Sequence, residues 1–260
     1  MSLLTPALEA RVLQAVEAAG RRAAAPGALR QVRAKGPADY VTNVDLAVPE
    51  DLRRRLAELT PAAQFLGEEA APPALDPARP LWILDPIDGT TNFLHGTGHW
   101  AVSLALAEAG QIVFGVVYNP CSGERFTARR GAGAFCGGRP LRVSGCRRLE
   151  ESLLSVGTVP GRRDLAGRAF ARMRTLYDRC QDVRRLGCAS LDLCWVAGGR
   201  LDGYVEDFLQ PWDYAAGLLV VEEAGGRVTA PDGAPLSLTR GGGVLASNGH
   251  LHAALQSQLE

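Results

Sequence analysis

The sequence has no excess of either charge sign, since 28 Lys and Arg residues balance 28 Asp and Glu residues. A surface that binds nucleic acid through its phosphates needs a basic excess, and a disordered tail shows a block of like charges. The chain has neither, and it has no internal repeat or low-complexity linker. We therefore expect one folded unit with no direct nucleic-acid partner.

Long apolar runs and export signals are also missing. No uninterrupted apolar stretch approaches the ~20 residues that a membrane helix needs. The N-terminal stretch lacks the basic start and the apolar core of a signal peptide. It predicts an amphipathic helix instead, with Thr5 as the N-cap and Pro6 at the first helical position. We expect a cytoplasmic protein that does not associate with membranes.

The six cysteines form no Cys-x-x-Cys pair and no Cys/His cluster with the spacing of a zinc site. In a chain without an export signal, we expect them to be reduced thiols. Most of them are predicted to be small core residues.

The order of predicted elements indicates a mixed α/β fold with layers of helix and sheet. Helical periodicity is found at residues 6–24, 45–59, 164–179, 189–198, 212–224 and 249–258. Strand patterns are found at residues 81–84, 100–107, 111–118, 124–128, 152–156, 182–185, 202–207, 227–229 and 243–246. Turn signals within residues 100–143 predict an antiparallel meander, and the Ala/Pro-rich residues 70–80 predict a surface loop.

Residues 81–93, LWILDPIDGTTNF, place two acids behind an apolar run. The run predicts a buried strand that ends at Leu84, so that Asp85 and Asp88 lie just beyond its C-terminal end. Two such carboxylates cost free energy unless a cation neutralises them. If a helix begins at Gly89 and Thr90, its free N–H groups form a site for an anion. This combination indicates hydrolysis of a phosphate ester.

Further acids lie beside turns or element ends at Asp39, Asp45, Glu68, Glu69, Glu206, Asp207 and Asp213. Magnesium prefers oxygen ligands, and two ions close together activate a water and stabilise a leaving oxygen. The candidate magnesium ligands are Glu68, Asp85, Asp88, Asp213 and the Ile87 carbonyl. For Asp39, Glu69 and Asp207 we favour an ordinary turn or cap role.

A different phosphatase chemistry uses Asp-x-Asp-Gly-Thr after a strand and forms a covalent aspartyl phosphate. Here the spacing is Asp-x-x-Asp-Gly-Thr, with Pro86 inside it. The extra residue displaces the nucleophile relative to the second acid. We therefore disfavour this mechanism.

These motifs together resemble the inositol monophosphatase family. The resembling segments are DPIDGTTNF, Gly67-Glu68-Glu69, the stretch from Asp39 to Asp45, and the stretch from Trp212 to Gly217. They occur in the family's order within residues 8–255. The resemblance implies an α-β-α-β-α layered fold and a lithium-sensitive, Mg²⁺-dependent phosphomonoesterase with two or three ions, usually a homodimer. It also implies one domain over residues 1–260, with the larger sheet and metal site in about 1–145 and a second α/β part in about 146–260.

The resemblance also assigns roles to individual residues. The carboxylates of Glu68, Asp85, Asp88 and Asp213 and the Ile87 carbonyl would hold magnesium. Asp45, Glu68 and Thr90 would be catalytic, with Thr90 paired to Asp45 to orient the attacking water, and Lys35 would lie in a loop beside the metals. The substrate-binding residues would be Asp88, Gly89, Thr90, Gly187, Cys188, Ala189, Glu206 and Asp213.

The alcohol part of the substrate stays open at this stage. In the family it is held by a Gly-Ser/Thr-Ala turn and a glutamate, which here resemble residues 187–189 and Glu206; Cys188 replaces the hydroxyl residue with a weaker donor. Inositol 1-phosphate or a similar polyol phosphate is the leading substrate. The alternatives are histidinol phosphate, for which Asp207 could help bind the amine, 3′-phosphoadenosine 5′-phosphate and fructose 1,6-bisphosphate. A bisphosphate needs a second basic pocket, for which Arg184 and Arg185 are candidates.

Some bacterial proteins resembling this family also bind transcription or RNA-processing complexes.

Overall fold

The computed structural model describes residues 3–27, 32–36, 39–68 and 74–259, with the backbone alone described at 32–36 and 39–49. The α-helices in this part of the chain are α1 (Pro6–Ala23), α2 (Asn43–Leu59), α3 (Thr90–Leu94), α4 (Ala166–Tyr177), α5 (Ala189–Ala197), α6 (Pro211–Glu223) and α7 (His252–Gln256). All six predicted helices and the short helix after Gly89 are confirmed, although α7 is shorter than predicted. At the start of α1 the Thr5 hydroxyl accepts a hydrogen bond from the Leu8 N–H, as expected of an N-cap.

The strands belong to one hairpin and two sheets. They are β1 (Val32–Gly36), β2 (Asp39–Thr42), β3 (Gln64–Gly67), β4 (Leu81–Asp88), β5 (Ala101–Glu108), β6 (Gln111–Tyr118), β7 (Arg125–Arg129), β8 (Gly133–Cys136), β9 (Arg139–Pro140), β10 (Leu153–Val156), β11 (Asp182–Arg184), β12 (Gly203–Leu209), β13 (Arg227–Thr229) and β14 (Gly242–Ser247). The predicted strands are all present. Five strands of two to five residues were not predicted: β1, β2, β3, β8 and β9.

The larger sheet contains seven strands in the order of the chain, from β3 to β9. Strand β3 is parallel to β4, and every later pair is antiparallel. This confirms the predicted meander. All eight residues of β4 are buried, because helices cover both faces of the sheet at this strand.

The smaller sheet has the strand order β11-β10-β12-β14-β13. Strand β10 is parallel to its neighbours β11 and β12, while β14 is antiparallel to both β12 and β13. The C-terminal ends of β10 and β12 therefore lie at the same edge of this sheet. That edge contributes residues to the cleft described below.

The elements stack in five layers, which confirms the predicted sandwich. Helices α1 and α2 contact the outer face of the larger sheet, α5 and α6 lie between the sheets, and α4 and α7 contact the outer face of the smaller one. Three apolar cores fill the four interfaces between the layers, because one core extends to both sides of α5 and α6. Burial of apolar surface in these cores holds the layers together.

The predictions for the cysteines and for the Ala/Pro-rich loop are compared with the structure next. All six cysteines are free thiols, as predicted, but only Cys188 and Cys194 are buried, so the prediction that most are core residues is wrong. Residues 74–80 form no helix or strand, in agreement with the predicted loop, whereas residues 70–73 lie outside the described part. Among the described residues, no helix is long and apolar enough to cross a membrane.

Candidate functional site

Strand β4 does not stop at Leu84 as predicted but continues through Asp88 with a β-bulge. Asp85 pairs with Ser103 and Asp88 pairs with Ala101, so three steps along β4 match two steps along β5. In a regular strand, residues three apart point to opposite faces. The extra residue in the bulge returns Asp88 to the face of Asp85. Both acids consequently line one cleft of about 600 Å³.

Three aspartates of this cleft are each held by one carboxylate oxygen. Asp85 Oδ1 accepts from the Ile87 N–H at 2.9 Å, Asp88 Oδ2 from the Ser190 N–H at 2.6 Å, and Asp213 Oδ2 from the Gln210 N–H at 2.7 Å. The Asp213 contact is a cap, because Asp213 lies in the first turn of α6. The second oxygen of each aspartate accepts no hydrogen bond from the described residues. Each side chain is thus fixed in orientation and has one oxygen left for a ligand.

Among the side chains that the structure describes, no cation neutralises these carboxylates. Burial, reinforced by the charges of Glu68, Asp88 and Asp213, raises the pKa of Asp85 well above its usual range. Burial likewise raises the pKa of Asp213 and of Asp88, the latter against hydrogen bonds from Ser190. No Lys or Arg side chain in the described part pairs with any of the three. Like charges held together in a buried cleft are the chemistry of a site for a hard divalent cation.

The described carboxylates do not form a complete coordination cage. Nowhere in the described ranges do three His, Cys, Asp or Glu side chains meet as a metal-binding group. Mg²⁺ does not require such a group, because it is commonly bound by one or two carboxylates and keeps several waters. The oxygen donors that line this cleft are therefore of the chemical type that Mg²⁺ prefers. Glu68, at the end of β3, lines the same cleft.

The turn from β4 into α3 meets the segment before α5. Gly89 has φ +87°, and a Cβ there would lie 3.1 Å from the Gly187 carbonyl oxygen, so both its conformation and its surroundings favour glycine. The Asn92 side-chain amide donates to the carbonyls of His99 and Leu186, both at 2.8 Å. The turn and the Gly187 segment are therefore held against each other.

Thr90 and Ile87 contact each other in this turn. The Thr90 hydroxyl donates to the Ile87 carbonyl at 3.2 Å, and both residues line the cleft. The predicted partner of Thr90, Asp45, lies in α2, but its side chain is outside the described residues. The side chains of Lys35 and Asp39 and the whole of Glu69 are outside them as well.

Cys188 lies behind the cleft, whereas its neighbours Gly187 and Ala189 line it. The buried thiol donates to the main-chain oxygen of Asp88 at 3.4 Å and to Asp88 Oδ2 at 3.1 Å. Burial raises the pKa of the Cys188 thiol well above its usual range, so the group stays protonated and remains a donor. Its contact is therefore with the aspartate and not with the cleft space.

Glu206, on β12, also lines the cleft. The Tyr204 hydroxyl donates to Oε2 and the Val159 N–H donates to Oε1 at 2.9 Å. Burial raises the pKa of Glu206 to about 7, although these two hydrogen bonds act in the opposite direction. A Cβ at Gly157 would overlap the carboxyl group, so glycine makes room for it. A carboxylate in this position can accept hydrogen bonds from hydroxyl groups.

Asp207 points to the other face of β12 and does not line the cleft. Its carboxylate pairs with Arg168 at 3.0 Å and with Arg172, both on α4. The turn or cap role favoured for Asp207 is therefore wrong, since it lies within a strand and forms ion pairs with α4, and these pairs remove it as a ligand for the amine of histidinol phosphate. Of the two candidate arginines, Arg185 lines the cleft and Arg184 does not.

Sequence reasoning missed several residues that support the cleft. Tyr204 had a usable signal, because residues two apart in a strand share a face and Tyr204 therefore lies beside Glu206. Gly157 had none, and Asn92 had only its place in the DPIDGTTNF motif, because their contacts are made with distant segments. Arg162 also lines the cleft, where it makes hydrogen bonds to Asp164.

The sequence matches the Inositol monophosphatase family over residues 4–260. This chain belongs to that family. An inositol-1-monophosphatase of Rhizobium meliloti is 42% identical over 230 residues, which cover 88% of this chain and 86% of the relative. A Nus factor SuhB of Pasteurella multocida is 41% identical over 211 residues, with coverages of 81% and 79%. The resemblance inferred from the motifs is therefore confirmed.

A solved structure has the same fold. The crystal structure of extragenic suppressor protein suhB from Bartonella henselae superposes with a TM-score of 0.89 at 41% identity and covers 98% of both chains. Members of the inositol monophosphatase family are in general metal-dependent. The family thus agrees with the donor chemistry of the cleft.

Proposed function

We propose that this chain is a Mg²⁺-dependent phosphomonoesterase that hydrolyses inositol 1-phosphate or a similar polyol phosphate with an activated water. The observation that carries the proposal is the set of three oriented cleft aspartates, of which Asp85 and Asp88 are buried, each with one oxygen free of hydrogen bonds from the described residues. The name of the Rhizobium meliloti relative supports the substrate class.

The metal ligands in this proposal are Glu68, Asp85, Asp88, Asp213 and the Ile87 carbonyl, for two or three ions. Bound Mg²⁺ supplies Lewis-acid polarisation of the ester and lowers the pKa of a coordinated water. Asp45, Glu68 and Thr90 orient the attacking water. The N–H groups of Gly89 and Thr90 hold the phosphate, because the first N–H groups of a helix such as α3 have no partner within the helix.

The alcohol side is formed by Gly187, Ala189 and Glu206, with Cys188 holding Asp88 from behind. Glu206 accepts hydrogen bonds from hydroxyl groups of the alcohol. Because its two oxygens are already oriented by Tyr204 and Val159, a hydroxyl meets a fixed acceptor. This favours polyol alcohols over the amine of histidinol phosphate, for which Asp207 is absent from the cleft.

The test is phosphate release from a panel of esters: inositol 1-phosphate, glucitol 6-phosphate, histidinol phosphate, fructose 1,6-bisphosphate and 3′-phosphoadenosine 5′-phosphate. Each ester is measured with Mg²⁺, with EDTA, and with added Li⁺. We expect Mg²⁺-dependent release with a preference for a polyol ester and inhibition by Li⁺. Release that persists in EDTA contradicts the metal mechanism, and the absence of release from every ester by folded protein contradicts the enzyme.

A second function is favoured by the relatives named Nus factor SuhB. In this proposal the chain also binds a transcription or RNA-processing complex through protein contacts, since its net charge is zero. Binding of purified RNA polymerase to the immobilised chain tests it.

We further propose a cytoplasmic homodimer, which light scattering at several protein concentrations would detect as twice the mass of 27.6 kDa.

A further inference from the structure

We propose that the buried ion pair between His99 and Asp192 has a positioning role in the site, because it holds together the two segments that orient Asp88. Neither His99 nor Asp192 lines the cleft, so the pair acts on a bound ion only through Asp88. The inference rests on the proposed function, since Asp88 is one of the proposed magnesium ligands.

Asp88 is held from two sides. Its main chain pairs with Ala101 at the start of β5. Its carboxylate Oδ2 accepts from the Ser190 N–H at 2.6 Å and from the Cys188 thiol at 3.1 Å, and both of these donors lie at the start of α5. The direction of the carboxylate therefore depends on how the start of β5 lies relative to the start of α5.

His99 and Asp192 connect the same two segments. His99 lies two residues before Ala101, and Asp192 lies two residues after Ser190. Nε2 of His99 is 3.5 Å from Oδ1 of Asp192, which is within ion-pair distance. The main-chain oxygen of His99 also accepts the Asn92 amide at 2.8 Å, so the same residue is bound to the turn that follows β4.

Each member of the pair depends on the other. The side chain of Asp192 is 3% exposed and that of His99 is 17% exposed. Within the described ranges, neither His99 Nε2 nor Asp192 Oδ1 has a hydrogen-bond partner, whereas Asp192 Oδ2 accepts from the Ser155 hydroxyl at 3.2 Å. Burial raises the pKa of Asp192 to about 6, while His99 acts in the opposite direction. A buried charge is costly unless it is paired, so loss of either member leaves the other uncompensated.

The charge of Asp192 offers a second way to act on the metal site, and its expected effects differ. Besides burial, the charge of Asp88 raises the pKa of Asp192, so the two carboxylates repel each other. In a purely electrostatic role, loss of the Asp192 carboxylate weakens cation binding and loss of the His99 charge strengthens it. In the positioning role, loss of either member weakens cation binding, because either loss releases the contact between β5 and α5.

The test compares His99→Asn with His99→Gln, which remove the same ring and the same charge. The glutamine amide can donate from the position of Nε2, whereas the asparagine amide lies one bond too short to reach Asp192. Calorimetry measures the binding of Mg²⁺ to each full-length variant without turnover. We expect His99→Asn and Asp192→Ala to bind Mg²⁺ roughly tenfold more weakly or worse, and His99→Gln to bind close to the wild-type value.

Steady-state kinetics and a distant buried pair complete the comparison. The Mg²⁺ concentration for half-maximal phosphate release from inositol 1-phosphate should rise by the same factor in His99→Asn and stay near the wild-type value in His99→Gln. Asp207→Ala is the control for loss of a buried ion pair, because its basic partners lie on α4. It should lower the free energy of unfolding and leave the Mg²⁺ affinity unchanged.

Every other outcome overturns the positioning role. Tighter Mg²⁺ binding in both His99 variants would show an electrostatic role, and unchanged binding in His99→Asn would confine the pair to folding. If Asp192→Ala does not fold, the two His99 variants still decide. Wild type that binds Mg²⁺ but releases no phosphate rejects the hydrolase, and the calorimetric comparison then decides the positioning role alone. Wild type that binds no Mg²⁺ rejects both proposals.

Discussion

Each cleft aspartate uses its two carboxylate oxygens for different purposes. One oxygen of Asp88 is fixed by a backbone N–H and a thiol, and the other accepts nothing from the described residues. The same division holds for Asp85 and Asp213. The protein thereby orients the side chains before a ligand arrives, which reduces the conformational entropy lost on binding.

Asp88→Asn should reduce turnover by at least about a hundredfold, because an amide is a poor magnesium ligand. The free energy of unfolding measured in EDTA should stay the same or rise, since the substitution removes the negative charge of Asp88, which burial disfavours. Steady-state kinetics and urea unfolding measure the two effects. Asp207→Asn is the control: it should lower stability through its lost pairs with α4 and leave the response to Mg²⁺ unchanged. Normal turnover in Asp88→Asn would remove this residue from the metal site.

Gly157→Ala should change substrate preference, because its Cβ displaces the Glu206 carboxyl group. We expect kcat/KM for a polyol phosphate to fall about tenfold relative to 4-nitrophenyl phosphate, which has no hydroxyl groups for Glu206. Gly167→Ala is the matched control, since a Cβ there meets nothing within 4 Å. An equal fall on both esters would show that Glu206 does not discriminate between alcohols.

At the scale of elements, two bulges place the acids of the cleft. In β4 the bulge follows Asp85, and in β12 a register shift between Glu206 and Leu209 has the same three-against-two count. Glu206 and Leu209 line the cleft, as do Asp85 and Asp88. Each sheet therefore contributes one bulged strand to the site, in agreement with the frequent position of bulges beside active sites.

Asn92→Ala should weaken phosphate binding, because its amide holds the start of α3 against the Gly187 segment. We expect KM to rise about tenfold and the free energy of unfolding to fall by about 1–2 kcal/mol. Asn248→Ala is the control, since this buried asparagine makes a comparable amide bond to the Cys146 carbonyl away from the cleft. It should lose stability with KM unchanged. A normal KM in Asn92→Ala would mean that the contact serves folding only.

All the long elements of the fold could be predicted from sequence, whereas five strands of two to five residues were missed. Strands β5 and β6 have continuous apolar runs, and α1 has a cap and one apolar face, so local patterns were sufficient. Strand β9 has two residues and β3 has four, and such strands depend on a neighbour for their pairing. The predicted end of β4 was wrong because a proline normally ends a ladder, whereas here Pro86 sits in a bulge.

The candidate site was predictable to the extent that its motifs are local. The DPIDGTTNF segment and the Trp212–Asp213 pair pointed to the acids that line the cleft. The direction of the Cys188 thiol and the pairing of Asp207 with α4 depend on which face of an element meets which neighbour. The sequence alone does not define which face of an element packs against which neighbour. The roles of Asp45 and Lys35 stay predictions.

At the scale of the whole molecule, burial of acids makes stability depend on pH. Burial raises the pKa of Glu206 to about 7 and that of Asp192 to about 6, and it raises the pKa of the cleft aspartates. A carboxyl with a higher pKa in the folded chain binds more protons there than in the unfolded chain. Stability without metal must therefore fall as the pH rises through the interval between the unfolded and folded values.

We expect the free energy of unfolding in EDTA to be on the order of 2 kcal/mol lower at pH 8 than at pH 6. Mg²⁺ should oppose this trend and stabilise the chain more at pH 8, because it binds deprotonated carboxylates. Urea unfolding at both pH values, with and without Mg²⁺, measures the effect. A Ca²⁺-free NaCl solution of equal ionic strength is the control for electrostatic screening by the added salt. Stability that rises with pH in EDTA, or equal stabilisation by Mg²⁺ at both pH values, would contradict the account.

The layered arrangement has a consequence for how such a protein diversifies. The acids proposed to hold the metal lie on the larger sheet and α6, whereas Glu206 and the backbone of Val159 belong to the smaller sheet and its loops. Substitutions on the second group can accumulate in a lineage without touching the reaction itself. Descendants of one ancestor could then inherit the same hydrolytic chemistry and divide a set of phosphate esters among themselves.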